Sequence, residues 1–169
     1  NGSNSGHVRI YELQSNNSWS QLGSDINGEA AGDRSGYSVS LTSDGPRVAI
    51  GANGNDGNGD SSGHVRIYDY DGSSWVKVGV DIDGEAVGDQ SGFSVSLSSD
   101  GSKIAIGAPY NKGAFNRVQG HTRIYSLPVD SYQYAWDVDS GGAPSDGTYT
   151  ATVAGSDLAG NPYAGTESI

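Results

Sequence analysis

The stretch "SGYSVSLTSDGPRVAIGA", residues 35–52, places Tyr37, Val39 and Leu41 on one side of a two-residue alternation and Ser38 and Ser40 on the other. After "SDG" (43–45) the alternation resumes, with Val48 and Ile50 opposing Ala49 and Gly51. Two strands joined by a tight hairpin explain the pattern, with the glycine supplying a positive φ at the turn. One face of such a hairpin is bulky and its reverse is small. A sheet built this way can be covered on both sides, the bulky face of one sheet lying against the small face of the next. The stretch returns as "SGFSVSLSSDGSKIAIGA" at 91–108, so the arrangement is expected at least twice.

The repetition extends well beyond the hairpin. Residues 21–52 align with 77–108 at an offset of 56, and "GHVRIY" occurs at 6–11 and again at 63–68, followed by "GHTRIY" at 120–125. The chain is therefore a long tandem repeat, with two full units and the first segment of a third. Each unit reads as four strands, "HVRIYEL", "SWSQLGSDI", "GYSVSL" and "RVAIGA", separated by turn residues. Four short antiparallel strands are the content of one propeller blade. The expected fold is all-β, with blade 1 at 1–62, blade 2 at 63–119, the first strand of a third repeat at 120–128, and a segment of different kind at 129–169. In the first "GHVRIY", Val8 and Ile10 are expected to face one neighbour and Arg9 and Tyr11 the other. The third copy is expected to complete or cap the sheet of the second.

Composition supports thin, turn-rich sheets: 27 of the 169 residues are glycine and 34% are hydrophobic. A formal charge of −11 with nine Lys and Arg leaves no basic patch, which argues against nucleic acid and anionic membranes as partners. No run of residues is long and apolar enough for a transmembrane helix, so membrane insertion is not expected. The chain has no cysteine, which excludes disulfides and thiolate metal sites, and no methionine, which reads as excision from a longer precursor.

The segments "SGYSVSL…RVAIGA" and "SGFSVSL…KIAIGAP", each followed by a loop and "GHxRIY", resemble the FG-GAP repeats of integrin α-subunit propellers and of many secreted bacterial proteins. The resemblance covers roughly 6–127, and "AIGAP" at 105–109 is its sharpest part. It implies a β-propeller with a binding or adhesive role outside the cell. Calcium-binding members of that family carry a loop of the type D-x-D-x-D-G between the two strands of the hairpin. Here that place holds "TSDGP" and "SSDGS", leaving only Asp44 and Asp100, and the family's calcium site is not carried over. The tail, with "DGTYTATV" and "DLAGN", resembles the C-terminal part of bacterial Ig-like modules. About forty residues is less than half of a sandwich of roughly 100.

Several residues are candidates for chemistry. His7, His64 and His121 occupy the same place in each repeat, which points to a scaffold role, since one substrate needs one set of groups. Asp25, Glu29 and Asp33, repeated as Asp81, Asp83, Glu85 and Asp89, could hold calcium or cap turns. Asp56, Asn58 and Asp60 follow the alternation that opens an EF-hand loop, and calcium is the candidate ion there. The rest of that loop departs from the pattern, with Ser61 at the sixth position and Ile67 at the twelfth, so an inter-blade loop is the simpler reading. The equivalent loop in the second repeat breaks the symmetry. There Tyr110, Lys112, Phe115 and Arg117 bring aromatic and cationic groups of the kinds enriched at interfaces.

No nucleophile elbow, zinc motif or phosphate loop is present in the sequence. The expected function is a non-enzymatic extracellular module for binding, adhesion or surface structure, belonging to a larger secreted bacterial protein. Its expected partners are a protein or glycan at a cell surface, neighbouring modules, or further copies of the chain joined through open blade edges into a ring or filament. The alternatives are the non-catalytic part of a carbohydrate-active propeller enzyme and a calcium-stabilised binding module.

Overall fold

A computed structural model of the chain describes residues 2–43, 45–113, 117–128, 150–156 and 162–168. The chain divides into two units, Asn1–Leu127 and Pro128–Ile169. All regular structure among the described residues is β. The strands of the first unit are β1 (His7–Val8), β2 (Tyr11–Leu13), β3 (Trp19–Gln21), β4 (Ile26–Asn27), β5 (Ser38–Leu41), β6 (Arg47–Ala52), β7 (His64–Tyr70), β8 (Trp75–Asp83), β9 (Ser94–Leu97), β10 (Lys103–Ala108) and β11 (His121–Ser126). The second unit contributes β12 (Thr150–Ser156) and β13 (Pro162–Ser168), which pair antiparallel from Thr150↔Ser168 to Ser156↔Pro162. The rest of the segment expected to be Ig-like lies outside the described residues.

The sheets are offset from the repeat as it was read from the sequence. A four-stranded antiparallel meander is formed in the order β5-β6-β7-β8, so it takes "GYSVSL" and "RVAIGA" from before residue 63 and "HVRIYDY" and "WVKVGVDID" from after it. The next sheet, β9-β10-β11, begins the same way, and the third "GHxRIY" forms its last strand. That copy does complete the sheet of the second. The first copy has no hairpin before it among the described residues. Its strands pair only as β1-β4 and β2-β3, in the register His7↔Asn27, Val8↔Ile26 and Tyr11↔Gln21.

Both expected hairpin turns form. Gly45 and Gly101 have φ of +86° and +68°, and their N–H groups donate to Thr42 and Ser98 carbonyls. The two faces separate as the alternation requires. Val48 and Ile50 pack with Ile26, Val8 and Ile10 on one side of the meander. On the other side Ala49, Val65 and Ile67 pack with Ile104 and Ile106 of the next sheet. Full burial of a Val or Ile side chain such as Val48, Ile50, Val65 or Ile104 stabilises the fold by about 1.5–3 kcal/mol.

The small faces allow a very close approach. A Cβ added at Gly51 would overlap the Gly92 carbonyl oxygen, and that oxygen accepts a hydrogen bond from Ser38 Oγ at 2.7 Å. Ser40 Oγ in turn accepts from the Leu97 N–H at 2.9 Å. At the hairpin ends, the Arg47 guanidinium pairs with Asp69 at 2.6 Å and donates to the Gly101 carbonyl at 2.8 Å. Serine and glycine on the reverse face therefore bring the sheets close enough for direct polar contact.

Candidate binding surface

Each arginine of the "GHxRIY" strands holds at least one carboxylate in an ion pair. On the meander Arg66 reaches Asp81 on β8 at 2.6 Å and also pairs with Glu29, which lies in the loop after β4. One repeat later Glu85 pairs with Arg123 on β11, so the same inter-sheet link recurs. Arg9 pairs with Asp25 at 2.8 Å within the first repeat. The Arg66 side chain is only 12% exposed. Burial would lower its pKa, but hydrogen bonds to Asp81 and Glu29 outweigh burial and raise it above the ordinary arginine value. Those same contacts, led by the hydrogen bond from Arg66, hold Asp81 well below the usual carboxylate range. Asp25, bonded by Arg9 and then Gln21, is lowered to about 2.

His64 stands beside this network, its Nδ1 3.7 Å from Asp81. Its pKa is lowered, chiefly by burial and next by the positive charge of Arg66. Glu29, His64 and Asp81 together have the residue types of a metal site. The guanidinium of Arg66 already supplies the cation that both carboxylates contact. His121 Nδ1 lies 3.7 Å from Glu85, the counterpart of Glu29, whereas His7 is exposed.

Among the other carboxylates, Asp83 ends β8 opposite His64, while Asp33, Asp89 and Asp100 hold turns. Asp33 Oδ2 accepts from the Ala30 N–H at 2.9 Å, and Asp89 Oδ2 accepts from the Ala86 N–H at 3.0 Å and from Asn111 Nδ2 at 2.8 Å. Asp100 caps its hairpin through the Ser98 hydroxyl and the Ser102 N–H, which lowers its pKa to about 2. Asp44 lies outside the described residues.

Asp56, Asn58 and Asp60 line the loop between β6 and β7. Asp56 Oδ1 accepts from the Ser61 N–H at 2.8 Å, and Asp60 Oδ1 accepts from the Ser61 hydroxyl at 3.1 Å. Asn58 turns its amide nitrogen to the Gly84 carbonyl at 2.7 Å, so it acts as a donor that ties the loop to the end of β8.

The symmetry-breaking loop after β10 is closed at its base by Asn111, whose carbonyl accepts from the N–H groups of Gln119 and Gly120. Lys112 bridges Val118, and the Gly113 N–H donates to the Arg117 carbonyl at 3.2 Å. Tyr110, Lys112 and Arg117 are exposed on it, and Phe115 lies outside the described residues. Tyr110 extends a row of rings, standing edge-on to Phe93 at 6.4 Å, while Phe93 lies 5.0 Å from Tyr37. Beside the row an open cavity of about 420 Å³ is lined by Phe93, Ser94, Gly107, Pro109 and His121. Tyr37 and Phe93 were not singled out as partner residues in the sequence. Their signal was present in the exposed end of the bulky alternation.

Residues 27–68 match the family model of the FG-GAP repeat. The match runs from the end of β4 through the β5-β6 hairpin into β7, and so spans the 62/63 repeat boundary as the meander does. No curated protein matches the chain. FG-GAP repeats are found in extracellular adhesion and binding proteins.

Proposed function

We propose that the chain is a non-enzymatic extracellular module, built of propeller-type blades within a larger secreted protein, that binds a protein or glycan at a cell surface. The observation that carries this reading is the FG-GAP match at 27–68. The exposed row Tyr37–Phe93–Tyr110, with Lys112 and Arg117 nearby, gives the ligand its contact surface. Aromatic rings offer apolar area with little side-chain entropy to lose, and the flanking cations select for acidic or hydroxyl-rich ligands. No helix among the described residues is long and apolar enough to cross a membrane.

Binding of the chain to a panel of acidic glycans and extracellular proteins tests the reading. At least one ligand is expected, with affinity falling about tenfold in Tyr110→Ala, equivalent to about 1.4 kcal/mol. Absence of any ligand, or a ligand bound equally well by the variant at unchanged melting temperature, would overturn it.

A further inference from the structure

Glu29, His64 and Asp81 each bring an oxygen or nitrogen within 4.8 Å of the other two, and among the described residues no other trio of His and carboxylate side chains gathers so closely. They come from three places in the chain. His64 opens β7, Asp81 lies near the end of β8, and Glu29 reaches in from the loop after β4 to touch Arg66. The trio therefore links the meander to a loop outside it.

The histidine is held in an uncommon setting. His64 is only 4% exposed, yet among the described residues no protein group hydrogen-bonds its imidazole. Its Nδ1 is directed at Asp81 Oδ2 from 3.7 Å, which is too long for a hydrogen bond. Two ligand atoms bound about 2.0–2.1 Å from a tetrahedral zinc ion stand about 3.4 Å apart. His64 Nδ1 and Asp81 Oδ2 are set near that spacing, and Glu29, with a side chain 52% exposed, has the freedom to close on them. One imidazole nitrogen with two carboxylates suits zinc, whereas calcium asks for about six to eight oxygens.

Arg66 does not bar the ion. Its guanidinium touches Asp81 and Glu29, but an ionised carboxylate has about four lone-pair sites, so each keeps places for a metal. Lys77 also pairs with Asp81, at 2.8 Å. Against those two cations stand three carboxylates, because Asp83 lies opposite His64 in the β7-β8 register and acts on it electrostatically. The surroundings are thus net negative, and His64, kept neutral by burial, retains the lone pair a metal requires.

We propose that Glu29, His64 and Asp81 bind a zinc ion through one carboxylate oxygen each and His64 Nδ1, with a fourth position left for water. The ion staples the loop after β4 to the meander and stabilises the folded chain by mass action, because the unfolded chain does not assemble the three ligands. One repeat later His121 Nδ1 and Glu85 Oε2 keep the same 3.7 Å spacing, so two of the three ligands recur there. None of the three residues belongs to the aromatic row, so the site stands or falls apart from the ligand-binding reading.

Zinc titration of the metal-free full chain tests it, read by calorimetry, by melting and by the histidine ring signals in NMR. One zinc ion per chain is expected, with a melting temperature that rises with zinc and a His64 ring that shifts before those of His7 and His121. In Glu29→Gln and His64→Gln the affinity is expected to fall at least about tenfold, since even outer-shell changes cost that much. Glu29 is half exposed, so its variant folds even where His64→Gln does not. Zinc held equally well by Glu29→Gln would mark an adventitious ion only. That result, a first shift at His7 or His121, or a melting temperature that zinc leaves unchanged would each overturn the proposal.

Discussion

The six residues "GHVRIY" occur twice without change, and the two copies have different structures. At 63–68 they enter a seven-residue strand, β7, between two partners, with Val65 and Ile67 buried in the core. At 6–11 they break into β1 and β2, with Val8 and Ile10 only partly buried. Intrinsic propensity is identical in both, so the difference comes from the hairpin that pairs with one copy and not with the other. The opposing strand shows the same effect. Gly79, at φ +69°, is absorbed within the nine-residue β8 opposite an irregular register between Val65 and Ile67. Gly23, at φ +71°, stands at its counterpart, where β3 and β4 are separate.

The largest test of that contrast is truncation of equivalent isoleucines. Ile67→Ala is expected to cost about 2–5 kcal/mol by chemical denaturation, and Ile10→Ala less than about half as much. Equal losses would show that the first copy is held as firmly as the second. A smaller separation is expected between the arginines. Arg66→Ala leaves Glu29 unpaired and Asp81 with Lys77 alone, and is expected to cost about 2 kcal/mol, less than a fully buried pair because Glu29 stays solvated and Lys77 still neutralises Asp81. Arg9→Ala breaks an exposed, solvent-screened pair, and its denaturation midpoint is expected to match that of the wild type.

The smallest effect is in the response to acid. The buried His64 has a folded-state pKa below its unfolded value, so the unfolded chain takes up a proton first as pH falls. The associated stability is present above about pH 6.5 and declines below it. His64→Gln is expected to flatten the dependence of denaturation midpoint on pH in that window. The loss due to Asp81 persists in this variant, because its lowered pKa acts only below about pH 4. An unchanged slope between neutrality and pH 5 would mean that His64 is not buried in solution.

The sequence made the hairpin, its turn and its two faces legible, because a period of two and an "SDG" turn leave few alternatives. The repeat was legible too, but its division into sheets was not. Self-alignment fixes the length of a unit without fixing where it starts, and pairing of β6 with β7 across the 62/63 boundary decides the phase. The carboxylates were visible as a cluster, yet their roles depended on partners distant in sequence. Glu29 reaches Arg66, Asp81 reaches the same guanidinium, and Asp89 folds back on Ala86. Tyr110 was found by its departure from the repeat, whereas Tyr37 and Phe93 follow the repeat and were hidden by it.

The offset between repeat and sheet bears on how such a chain can change its length. Any window of one repeat, wherever it is cut, contains the four strands of one sheet in some order, so duplicating or deleting that window adds or removes one sheet. The flanking half-sheets remain as they were, and every new junction is one the chain already makes between neighbours. Recombination within the coding sequence can therefore lengthen or shorten the stack without inventing a new contact.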